Sequence, residues 1–96
     1  MTEVSPDQLQ AAVEGTHGCH ASNPRPEWVT ETFQGQTVWD GVVHTFDVDH
    51  PDAKVCYAWS AAVDGTENRK FYAVLGIPPI NSARDAVRAA IVAENR

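Results

Sequence analysis

The sequence predicts an α+β domain ordered α-β-β-β-β-α, a four-stranded antiparallel meander with both helices packed on one face. Three observations predict it. Helix-capping signals stand near the two ends of the chain, and the middle alternates with period two and is rich in β-branched and aromatic residues. Every connection between the predicted strands is also short enough for an antiparallel hairpin. The 96 residues make one domain, divided into a helix over 1–14, a loop over 15–26, a sheet over 27–77 and a helix over 82–95.

At the start, Ser5 suits the N-cap, Pro6 the first helical position, and Gln8 completes a Ser-x-x-Gln capping box. Val4 and Leu9 would form a hydrophobic staple, Leu9, Ala12 and Val13 a narrow apolar stripe, and Gly15 the end of the helix. Two glycines, two prolines and Ser22-Asn23 make residues 15–26 a loop. Trp28 to Phe33 then reads as a strand, Gln34-Gly35-Gln36 as a hairpin turn, and Thr37 to Val48 as a second strand with a bulge at Gly41. Pro51 places a turn over Asp49–Asp52, because it cannot sit in a central ladder. Lys54 to Ala62 forms the third strand, Asp64 to Asn68 the next turn, and Lys70 to Ile77 a fourth strand stopped by Pro78-Pro79. Ser82 caps the last helix with Asp85 as its box partner. Ala83, Ala86, Val87, Ala90 and Ile91 share one helical face, with Arg84 and Arg88 off it and expected in solvent.

Alternation gives the third and fourth strands two unequal faces. Cys56, Ala58 and Ser60 are small enough for a helix to approach closely, while Tyr57 and Trp59 are bulky. With both helices on the small face, Trp39, Tyr57, Trp59 and Tyr72 are left as an aromatic interaction face. Three or four uncovered aromatics exceed what a monomer leaves in water, so the expected cover is a second copy of the chain. Two other covers fit the same pattern: the 15–26 loop folded over the aromatics, or a ligand in a groove.

The formal net charge of −6 argues against nucleic acid as a partner and favours a basic protein. The chain has neither the basic and apolar regions of a secretory signal nor an apolar run long enough for a membrane span, which points to the cytoplasm. Cys19 and Cys56 are then expected as free thiols. His17, Cys19 and His20 are suitable zinc ligands, but the usual paired spacing is missing and an ordinary loop with incidental Cys and His is the better reading. A cysteine–histidine nucleophile pair lacks a recognisable orienting acid. Asp47, Asp49 and Asp52 cluster about a turn without the glycine and glutamate of a calcium loop. Asp40 and His44, four apart on a strand, could form one charge-assisted pair. No cofactor motif is present.

The runs Thr32 to Val43 (TFQGQTVWDGVV) and Cys56 to Ser60 (CYAWS), with Ile77-Pro78-Pro79 and Ala86 to Ile91, resemble a family of short bacterial proteins without an assigned activity. The resemblance spans about two thirds of the chain and implies a bacterial cytosolic protein. The helix–sheet–helix order is also similar to the double-stranded-RNA-binding domain, but the last helix opens Ser82-Ala83-Arg84-Asp85 without that family's lysine cluster. The sequence thus points to a small acidic, non-catalytic interaction domain, homodimeric through its aromatic face. Its competitors are a small enzyme or ligand-binding protein with a pocket between the sheet and the 15–26 loop, and an acidic phosphate mimic that inhibits a nucleic-acid-binding protein.

Overall fold

The computed structural model describes residues 5–62 and 68–94. Val4 of the expected staple, Asp64 to Glu67 of the third turn and Arg96 lie outside the described residues. Helix α1 spans Pro6–His17 and both bonds of its capping box form. The Ser5 hydroxyl accepts from the Gln8 N–H at 3.3 Å, and the Gln8 side chain accepts from the Ser5 N–H at 2.9 Å. The helix passes through Gly15 and ends at His17, because Gly18 (φ 63°) takes the left-handed cap and returns its N–H to the Glu14 carbonyl.

The sheet follows as β1 (Ala21–Phe33), β2 (Gln36–His50), β3 (Ala53–Ala62) and β4 (Arg69–Leu75), antiparallel and in that spatial order. Strand β1 begins inside the segment expected as a loop. Asn23, with φ 56°, shifts the register between Ser22 and Arg25, and β1 is an edge strand, where Pro24 and Pro26 cost no ladder bond. Positive φ at Gln34 and Gly35 makes the tight β1–β2 hairpin turn. Gly41 pairs with Val29 in regular register, so the expected bulge is absent there. Its missing side chain instead makes room for Trp39, whose indole would lie 3.0 Å from a Cβ at that position.

This sheet is curled rather than a plain meander. The β2–β3 ladder ends at His44 and Ala58, while the β1–β2 ladder continues to Phe33 and Gln36. The outer half of that hairpin meets α2 (Ala83–Glu94). Glu31 is buried beside Arg88 at 3.2 Å and Arg84 at 3.7 Å, and Arg84 also donates to the Thr30 carbonyl at 3.0 Å. The two arginines expected in solvent therefore clamp α2 to β1. Most of each arginine still meets water, so the clamp stabilises modestly; its sharper role is to keep a buried carboxylate from standing unpaired.

The two helices lie on opposite faces of the sheet, contrary to the expectation of one shared face. Leu9 and Val13 of α1 pack on Phe46, Cys56 and Ala58. Ala83, Ala86 and Val87 of α2 pack with Val29, Val43, Tyr57 and Trp59 on the other side. Size complementarity explains the choice: the small α2 face can approach the bulky sheet face, and the larger α1 residues fill the space over the small one. Trp59 stacks on Tyr72 at 5.0 Å and meets Trp39 edge-on at 6.1 Å. With Tyr57 and Trp59 buried and Trp39 and Tyr72 half-buried against the same cluster, the four residues expected as an interaction face form a core. No helix among the described residues is long and apolar enough to cross a membrane.

Close packing makes one glycine critical. A Cβ on Gly76 would lie 2.7 Å from a Val55 methyl and 3.3 Å from the Tyr57 ring, whereas one on Gly15 would meet nothing within 4 Å. Gly76→Ala is expected to cost about 1–3 kcal/mol through overpacking, and Gly15→Ala to gain about 0.5–1 kcal/mol in helix α1. Urea denaturation of the two variants checks the opposite signs.

Candidate functional site

Two regions bring functional side chains together. The first is a cleft of about 550 Å³ at the end of α1, lined by Glu14, His17, Cys19, His20, Asp49 and His50. The helix C-cap and the turn after β2 bring these residues close, but four of the six side chains each hold a structural hydrogen bond. His17 donates from Nε2 to the Ala73 carbonyl at 2.8 Å, and His50 accepts the Asp52 N–H on Nδ1 at 3.0 Å. Asp49 accepts the His20 N–H at 2.7 Å, and Glu14 the Ala21 N–H at 2.9 Å. The His17 and His50 rings meet edge to face at 6.4 Å.

Among the described residues, no three His, Cys, Asp or Glu side chains converge as a metal-ligand set. His17, Cys19 and His20 are neighbours in the cleft without forming one. The acids of the second turn also point to separate tasks. Asp47 takes Arg25 at 3.0 Å and Asn23 at 3.1 Å, and the Arg25 hydrogen bond leads the interactions that hold its carboxyl below the usual range. Asp49 is committed to His20.

Both cysteines are free. Burial pushes the Cys19 thiol above its ordinary value, and the charges of Asp49 and Glu14 push it further. Burial takes the Cys56 thiol to about 12, with Cys19 adding to the effect. Neither is the electropositive setting in which a thiol becomes a nucleophile.

The second region lies on the α1 face of the sheet. Helix α1 has 12 residues, about 18 Å of rise, and covers the half around Phe46, Cys56 and Leu75. Beyond it the sheet is open: Trp28 is 65% exposed, Phe71 41% and Val42 40%. Trp28 stands opposite Val42 across β1 and β2, and Phe71 opposite Ser60 across β4 and β3. Carrying the β2–β3 register past its last pair, His44 and Ala58, lines the four up as a row with an aromatic at each edge strand and Val42 and Ser60 between them, on strands no longer paired there.

His44 flanks this row, between Pro26 and Ala58 in the ladder. It is half-buried 6.3 Å from the Phe46 ring, and its Nδ1 is shielded without a hydrogen-bond partner. Burial lowers its pKa below the ordinary histidine value. The expected Asp40–His44 pair is absent, because Asp40 accepts the Thr30 hydroxyl at 2.7 Å. Trp28 was legible as a strand residue, but its exposure was not. That follows only once the helices are assigned to opposite faces.

Fold and surface thus define a small α+β domain, covered by a helix on each side, with one aromatic row left open. Compared with protein-family models, curated proteins and solved structures, the chain matches none.

The cysteine environments give a direct check. In the native protein near pH 8, Cys56 is expected to resist a chromogenic disulfide reagent and Cys19 to react at least about tenfold more slowly than an unfolded thiol. In denaturant both should react at one fast rate. Rapid native labelling of either thiol would contradict the shielding described.

Proposed function

We propose that this protein is a non-catalytic interaction domain that self-associates through the row Trp28, Val42, Ser60 and Phe71. The observation that carries the reading is the exposure of Trp28, Val42 and Phe71 on one face of a sheet that is otherwise helix-covered. The two aromatics alone offer on the order of 200 Å² of apolar surface, a reasonable centre for an interface of standard size with a polar rim.

A second copy suits the row better than another occupant. The row's own side chains are uncharged, and Arg69, which bonds the Ser60 hydroxyl at 3.0 Å, is exposed and sits at its rim, so self-pairing in a chain of net charge −6 sets no acid against acid. Its two aromatics stand at opposite edges, so a two-fold axis through the middle sets Trp28 of each copy against Phe71 of the other. The enzyme reading has less support. Half of the 15–26 segment is strand and its first three residues end α1, so little of it is a pocket-closing loop, and the acids and two of the histidines of the α1 cleft are held in structural hydrogen bonds.

Sedimentation equilibrium tests the proposal. A dimer is expected at micromolar concentration, with Trp28→Ser and Phe71→Ser each weakening it at least about tenfold, as for hot-spot residues. Circular dichroism should remain native in both variants. A wild-type monomer throughout, or full association by Trp28→Ser, would overturn the reading.

A further inference from the structure

We infer that acid releases this self-association by protonating His44, which flanks the open row. The inference rests on the self-association proposed above and adds its regulation. His44 and Val42 point to the same face of β2, about 7 Å apart along the strand. One ring nitrogen of His44 is already shielded from water with no hydrogen-bond partner. A copy seated on the row covers much of what remains. A neutral imidazole tolerates that burial; an imidazolium needs a counter-charge or water.

Among the described residues, this face offers no such counter-charge. On this face β1 presents Pro26 and Trp28, and β3 presents Ala58, Ser60 and the neutral thiol of Cys56. On the same face of β2, the acid Asp40 lies beyond Val42 and is bonded to Thr30; Glu27 and Asp47 belong to the opposite face. From α1, His17 is held at the Ala73 carbonyl of β4 and Glu14 at the Ala21 N–H. From β4 the charged group is Arg69, which bonds Ser60 and carries the same sign as a protonated histidine. A two-fold axis through the row also brings the two copies' His44 rings toward each other. Protonating both adds like-charge repulsion to the desolvation cost.

The sign follows from linkage. Burial already favours the neutral ring in the folded chain, and a covered interface favours it further. Dissociation therefore takes up protons, and association weakens as pH falls through the folded monomer's lowered His44 value, on the acid side of the ordinary histidine value of about 6.5.

Sedimentation equilibrium of wild type, His44→Phe and His44→Gln at about pH 7.5 and pH 5.5 tests this, with circular dichroism at both. The wild-type dissociation constant is expected to rise at least about tenfold in acid while the chain stays folded. Both variants should associate with constants within about twofold of each other at the two pH values. A wild-type dimer indifferent to pH would overturn the inference and leave the self-association standing. Variants that keep the full acid response would assign it to His17, His20 or His50 and overturn the inference. So would acid unfolding in place of dissociation. A wild type that is monomeric at about pH 7.5 would overturn the self-association itself, and this inference with it.

Discussion

The cluster that joins the α2 alanines and Val87 to Val29, Val43, Tyr57 and Trp59 is the packing on which the rest of the molecule depends. Trp59 is 2% exposed, stacked on Tyr72 and edge-on to Trp39. Burying an indole of this size stabilises by an upper bound of roughly 4–6 kcal/mol, a large share of a small domain's margin. Only a helix face built of small residues can lie close enough to bulky aromatics without leaving gaps. Once α2 is committed there, α1 alone must cover the other face, and its 12 residues do not reach across it. The open row around Trp28 and Phe71 is the consequence of that allocation.

The edges of the sheet are managed differently from its face. On β1, Pro24 and Pro26 lack N–H donors, and Arg84 takes the outward Thr30 carbonyl. On β4, His17 takes the Ala73 carbonyl and the Ile77 N–H takes that of Leu75. These contacts blunt both edges against strand addition by another chain. In the proposed self-association, contact between copies then falls to the face, where Trp28, Val42 and Phe71 are exposed. Glu31 and its two arginines keep the curled β1–β2 hairpin against α2, which holds Trp28 turned away from the helix on the opposite side of the sheet.

Much of this architecture was legible in the residues. The capping box at Ser5 and Gln8, the Gln34-Gly35 turn and the alternation of β3 are local signals, and each appears where its chemistry requires. The start of β1 was hidden by Pro24 and Pro26, because a strand tolerates proline at an edge and edge position is a tertiary fact. The aromatics expected in water, Trp39, Tyr57, Trp59 and Tyr72, pack under α2, and Trp28 and Phe71 on the other face are the exposed ones. Period-two alternation separates Trp59 from Ala58 without saying which set a helix will cover. The alanine-rich stripe of α2 held that information, since small residues on a helix match large ones on a sheet. His17, Cys19 and His20 stood out by type alone; their hydrogen bonds to Ala73 and Asp49 depend on partners far along the chain.

Unequal cover of the two sheet faces is the claim on which this account stands, and the three tryptophans report on it separately. Trp59 and Trp39 belong to the α2 side, and Trp28 to the open row. Indole N–H resonances followed by NMR over a dilution series, with Trp28 assigned by its loss in Trp28→Phe, measure each one. The account predicts that the Trp28 resonance moves with protein concentration while those of Trp39 and Trp59 stay fixed. A Trp28 resonance that ignores concentration, or a Trp59 resonance that follows it, would contradict the account.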